Sequence, residues 1–184
     1  SHVICTTPLQ ELPLIEPPFN SELSKKYNDI NNIGVVCVVL NLSKKVSQHF
    51  WLNISMKDWN IPGIIEFSNL RDFKDNNIVY IPYYMPVSNN LWKREDSDFV
   101  SESFQYLKKI NTQITDNDLI ASYVGRLRNA QPICEPGFAK KIPNIQTPHS
   151  VLQIADTCYY YPEDRGISES VRIGKEMATS IINE

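Results

Sequence analysis

The densest apolar run in the chain, Ile33 to Leu42, is β-branched and nearly unbroken, with asparagines at both ends. Such a run predicts a strand covered on both faces. Shorter runs predict further strands at Val3 to Thr6, Phe50 to Ile54, Gly63 to Phe67 and Ile78 to Tyr84. The first reads as a short buried strand stopped by Pro8. The last contains Pro82, which lacks the N–H a central ladder needs and predicts an edge or a bulge. Strands in such close succession predict mostly antiparallel pairing. Between the first two, the prolines from Leu12 to Pro18 predict a loop. Asn20 or Ser21 then caps a short helix through Tyr27, with Glu22 in its first turn.

The second half changes period. Val100, Phe104, Leu107 and Ile110 share one helical stripe, with Ser97 or Asp98 as cap. Thr115-x-x-Asp118 has the spacing of a capping box and predicts a further helix carrying Leu119, Ile120, Tyr123, Val124 and Leu127. Gln131 to Pro148 reads as a proline-punctuated connection. Val151 to Ala155 reads as a strand. Ile167 to Ile182 reads as a closing helix with Ile167, Val171, Met177, Ala178 and Ile181 inward.

Composition narrows the function classes. A 184-residue chain with 42% hydrophobic and 21% charged residues has the balance of a soluble globular protein. A net charge of −3 gives no basic surface for nucleic acid. The four cysteines (Cys5, Cys37, Cys134, Cys158) stand far apart, without the paired spacing of a zinc site, and no metal is expected. Cys5 and Cys37 read as small core residues, and a reducing cytoplasm is the default. No apolar stretch approaches the roughly 20 residues of a membrane span. The three histidines are scattered, so no hydrolytic triad is indicated.

One constellation carries chemistry. The strand Val151 to Ala155 ends on Asp156. A loop with Tyr159, Tyr160 and Tyr161 follows, then a helix opened by Gly166, with Gly174 two turns in. A helix N-terminus presents free N–H groups and partial positive charge, which suits a phosphate or an electron-rich ring oxygen. The strand-end carboxylate can accept from sugar hydroxyls, or cap the following turn instead. Gly166 permits close approach of a ligand, and Gly174 would let the helix lie tight against a sheet.

These residues resemble the last FAD-contacting motif of the flavin amine-oxidase family. Ala155-Asp156 matches the strand end. Gly166, Glu169 and Gly174 match the helix start, while Ser170, Val171 and Ile173 depart from it. A second likeness lies near the front: Val3 to Pro8 is similar to the strand that leads from the FAD domain of these enzymes into their substrate domain. The dinucleotide fingerprint Gly-x-Gly-x-x-Gly is absent, since the six glycines stand singly. The chain is therefore expected to be the C-terminal part of a larger flavoenzyme.

The resemblance implies an α+β chain: a mainly antiparallel substrate-domain sheet with flanking helices, plus a terminal strand–helix unit belonging to an incomplete FAD-binding domain. Residues 1–12 would end the FAD domain, 13–148 would form the substrate domain, and 149–184 would return to the cofactor. It implies FAD as cofactor of the parent, with Asp156, Gly166, Ile167, Ser168 and Glu169 as contacts. Tyr160, Tyr161 and Trp51 would touch a small-molecule substrate, although Trp51 suits the core better. A flavin-dependent sugar-nucleotide mutase needs an arginine-lined pocket, for which Arg71, Arg94, Arg126 and Arg128 are candidates. A non-enzymatic binding domain on the same scaffold is the third reading.

Overall fold

The computed structural model describes residues 1–12, 21–74 and 76–182. The chain divides into two compact units, one of residues 33–130 and one combining residues 1–32 with 131–184.

The first unit is built on a five-stranded sheet. Its strands are β2 (Asn32–Leu42), β3 (Trp51–Asn53), β4 (Gly63–Glu66), β5 (Asn77–Met85) and β6 (Leu119–Pro132), in the order β3-β4-β5-β2-β6. β2 and β5 run antiparallel from Gly34 opposite Met85 to Leu42 opposite Asn77. Burial along β2 alternates with a period of two, as a strand with one core-facing side requires. Val36, Val38 and Leu40 join Ile81 and Tyr83 against helix α2 (Asp96–Ile110), which buries Phe99, Phe104 and Leu107. Burying each such side chain contributes about 1.5–3 kcal/mol. The Tyr83 hydroxyl and Ser103 Oγ, both fully buried, satisfy one another at 2.9 Å.

The opposite face, by register, carries Val35, Cys37 and Val39 of β2 beside Tyr84, Pro82 and Tyr80 of β5, then Ile65 and Trp51. β2 is thus buried on one side and half-buried on the other, rather than covered on both. Trp51 is 48% exposed, which removes its core reading. Its indole Nε1 donates to Asn53 Oδ1 at 2.7 Å.

Two further expectations are corrected. The capping box forms, Thr115 N and Oγ1 both donating to Asp118 Oδ2, but it closes a single turn at Asp116–Asp118. Residues 119–132 then continue as a 14-residue strand, not a helix. Ile120, Tyr123, Val124 and Leu127 are β-branched, aromatic or neutral to both periods. Pairing beside β2 supplies backbone hydrogen bonds that an isolated stretch lacks, so tertiary context overrides the local pattern. Pro82 lies in β5, the middle strand of five. The proline is tolerated because β4 pairs with β5 only at Val79 and Tyr80, so β5 is an edge on that side at position 82.

The second unit holds a two-stranded parallel sheet of β1 (Val3–Cys5) and β7 (Leu152–Ile154), in register Val3 to Leu152. Around it lie helix α1 (Ser21–Asn28) and helix α3 (Ile167–Ile182). The expected cap Asn20 and the loop after Leu12 fall outside the described residues. The core gathers Leu9, Leu12, Tyr27, Ile30, Phe138, Ile154, Cys158, Ile173 and Met177. β1 is not buried: Val3 and Ile4 are 56% and 41% exposed.

Helix α3 has the expected span but a different inward face. It buries Ile173 and Met177, while Ile167 and Val171 are 85% and 63% exposed and Ala178 is exposed too. Two apolar stripes run along this helix at spacings of three and four, and the core contacts only one. Gly174 lies on the outer stripe, and a Cβ added there would meet nothing within 4 Å. The expected tight packing at that glycine is absent among the described residues.

Candidate cofactor and substrate site

Asp156 stands where β7 ends, and its carboxylate is used by the chain's own backbone. Oδ1 accepts from Cys158 N at 2.8 Å, capping the short turn Thr157–Tyr160. Oδ2 accepts from Leu9 N at 3.0 Å, tying the segment after β1 to the end of β7. A carboxylate has about four acceptor positions, so further donors can still be taken on its outer side.

The turn capped by Asp156 sets the three tyrosines apart. Tyr159 is buried, and burial raises its phenol well above the ordinary range. Cys158 is buried as well; desolvation, reinforced by the neighbouring Asp156 charge, pushes its thiol up and leaves it protonated. Tyr160 hydroxyl and Ser170 Oγ lie 2.7 Å apart, linking the turn to the first turn of α3. Tyr161 is 40% exposed, its ring edge-on to Phe138 at 5.3 Å. Tyr160 and Tyr161 are thus the two tyrosines open to a ligand.

The start of α3 is open. A Cβ at Gly166 would meet nothing within 4 Å. Ile167 and Ser168 are exposed. Glu169 accepts from Arg172 Nε at 2.7 Å, so its charge is already paired within the helix. Asp156, Tyr160 and the α3 N-terminus are therefore brought together within one unit. Trp51 belongs to the other unit, on the half-buried sheet face that Tyr80 and Tyr84 share.

A cleft of about 250 Å3 just before α3 is lined by Tyr161, an expected substrate contact, together with Gln131, Thr157 and Arg165, which the sequence did not mark as site residues, with Glu163 and Asp164 at its side. Gln131 reads in sequence only as the start of a proline-punctuated connection, and no local signal marks it. Its Oε1 is buried and has no hydrogen-bond partner among the described residues. No group of three His, Cys, Asp or Glu side chains suited to a metal ion occurs among the described residues. Among those residues no helix is long and apolar enough to cross a membrane.

No protein-family model matches this chain, and no curated protein matches it. Solved structures do. A protein described as a protoporphyrinogen oxidase from Exiguobacterium sp. 255-15 superimposes with a TM-score of 0.71 at 13% identity, over 98% of this chain and 40% of its own. A putrescine oxidase bound to putrescine gives 0.68 at 12% identity, over 100% of this chain and 43% of its own. A reduced UDP-galactopyranose mutase gives 0.56 at 12% identity, over 76% of this chain and 31% of its own. The chain thus spans about two-fifths of the length of the first two. At these identities the likeness is one of fold: an α+β chain with the fold of part of these longer proteins.

Proposed function

We propose that this chain forms the substrate-side part, and the last cofactor-contacting strand and helix, of an FAD-dependent oxidoreductase that oxidises a small organic molecule. The observation that carries this reading is the unit of β1, β7, Asp156 and α3. Its two-stranded parallel sheet exposes Val3 and Ile4, and its helix exposes Ile167 and Val171. Parallel sheets are ordinarily covered on both faces, so these surfaces suit further strands and helices of a dinucleotide-binding domain. The motif at Asp156 and Gly166 to Glu169 supports the cofactor assignment, and the shared fold supports the enzyme class.

In this reading the α3 N-terminus, through its free N–H groups, holds partial negative charge on the cofactor ring. Asp156 keeps β7 and the turn in register while its outer lone pairs accept from ribityl hydroxyls. Tyr160 and Tyr161 wall the approach; Trp51, on the sheet face of the other unit, is a separate candidate for substrate contact. FAD, when bound, would accept the hydride equivalent from the substrate and pass electrons onward. Without a phosphate-binding glycine loop the chain alone holds FAD weakly.

The mutase reading has less support. Arg94 pairs with Glu102 and Arg126 with Asp96, and Arg71 lies over the Phe73 ring at 5.7 Å. Three of the four candidate diphosphate ligands therefore have other contacts.

The test is visible absorption of two proteins, this chain and a version joined upstream to a dinucleotide-binding segment of its own gene product. The longer protein should purify yellow and release FAD on denaturation, while the chain alone stays colourless. A longer protein that stays colourless with FAD supplied would overturn the flavoenzyme reading and leave a binding module.

A further inference from the structure

The loop joining β3 to β4 lies against the second half of α2 and shares with it a cleft of about 530 Å3, all within one unit of the fold. The apolar part of the lining is Ile54, Trp59 and Ile110, with Met56 beside them 60% exposed. The Trp59 ring is held in place. It stacks on Tyr106 at 4.3 Å and 14°. The Tyr106 hydroxyl in turn donates to Glu102 at 2.7 Å and accepts from Asn60 N at 3.3 Å. Trp59 N donates to Met56 O at 3.2 Å and closes the turn before the ring. Two exposed charges line the same cleft, Asp58 in that turn and Lys109 on α2. Lys109 Nζ stands over the Trp59 ring, 5.9 Å from its centroid. Neither charge belongs to an ion pair among the described residues.

We infer that this cleft binds a free amino acid with a large apolar side chain, its carboxylate at Lys109, its ammonium at Asp58 and its side chain against Trp59. Clefts that take small molecules combine a mostly apolar lining with a few placed polar groups, and both parts are present. A neutral apolar ligand would strip water from two charges and replace it with nothing. A phosphate or a dicarboxylate suits Lys109 but opposes Asp58, and a simple amine does the reverse. A zwitterion with an apolar body answers all three features. The lining is also set before a ligand arrives. The stack on Tyr106 fixes the ring, and the cation–π contact keeps the Lys109 ammonium above it, so less ordering is left to oppose binding. The site goes beyond the flavoenzyme reading and does not depend on it, since none of its residues is among the expected cofactor or substrate contacts.

The experiment is NMR titration of this chain with L-phenylalanine, phenethylamine and hydrocinnamate, which carry both charges, the ammonium alone and the carboxylate alone. L-Phenylalanine should shift the Trp59 indole N–H and the backbone amides of the loop and helix residues that line the cleft. It should bind about fivefold more tightly than either analogue, the effect of one exposed charge pair. Lys109→Met removes the cation and should bind L-phenylalanine and phenethylamine equally. Asp58→Asn removes the anion and should bind L-phenylalanine and hydrocinnamate equally. Both positions are exposed, so each variant should keep the folded spectrum. No shift at the cleft, equal binding of the three compounds by the unaltered chain, or discrimination that survives the matching substitution overturns the inference. The absorption test of the flavoenzyme reading is unaffected by any of these results.

Discussion

Replacing Glu66 by glutamine turns one acceptor of a buried fork into a donor. Glu66 is fully buried at the end of β4. Its Oε1 accepts from Val46 N at 2.8 Å. Its Oε2 accepts from Ser47 N at 2.7 Å and from Ser47 Oγ at 3.1 Å. The carboxylate thereby fixes the loop that runs into β3 and Trp51, and Glu66 N donates to Phe50 O at 2.8 Å to close the same loop. In Glu66→Gln the amide NH2 must face one of the two backbone N–H groups, whichever way the amide turns. That donor loses its acceptor, at about 1–3 kcal/mol, and the surviving bonds lose their charge assistance. Relief from burying a charge offsets part of the loss, leaving about 2–3 kcal/mol. This is a large share of the roughly 5–15 kcal/mol that holds a typical domain. Urea unfolding followed by tryptophan fluorescence measures it, the midpoint falling while the slope stays constant. Asn69 Nδ2 donates to Ser47 O and His49 O, so the loop keeps a second tether and the variant remains folded for the comparison. A change smaller than about 0.5 kcal/mol, the usual scatter of surface substitutions, would refute the account of Glu66 as the clamp of this loop.

Two other perturbations follow from named contacts. Asp156→Ala removes the cap of the turn Thr157–Tyr160 and leaves the N–H of fully buried Leu9 without its acceptor. It should cost about 2–3 kcal/mol in urea unfolding, and a loss no greater than that of an exposed residue would remove its structural role. Asp118 is held well below the usual carboxylate range, first by the hydroxyl of Ser43 and then by the backbone and hydroxyl of Thr115. Because its folded-state value is depressed, its stabilising contribution is complete above the ordinary aspartate value of about 3.9 and fades as the pH falls through the depressed one. Asp118→Asn should therefore lose stability at neutral pH and show a shallower decline below about pH 4, read from urea midpoints at pH 7 and in acid; parallel declines in the two proteins would contradict the linkage.

Much of the α+β framework is legible in the chain because strand periods, proline and glycine act locally. Ile33 to Leu42 announces β2, the Val100 to Ile110 stripe announces α2, and the strand ending at Asp156 with a helix from Ile167 announces β7 and α3. Other features were decided only by packing. Residues 119–132 carry apolar side chains that suit either period, and the hydrogen-bonding partner beside β2, invisible to a local reading, made them a strand. Helix α3 carries two apolar stripes, and its inward face was chosen by what Ile173 and Met177 could reach in the second unit. Pro82 is permitted in a middle strand because the pairing of β5 with β4 stops at Tyr80. The gathering of residues 1–32 with 131–184 joins segments about a hundred positions apart, and the bond from Leu9 N to Asp156 spans 147 positions. Gln131 shows the limit most clearly. Its residue type and neighbours are ordinary, and what distinguishes it is the burial of one oxygen without a partner among the described residues, a property of three-dimensional enclosure that no period or motif encodes.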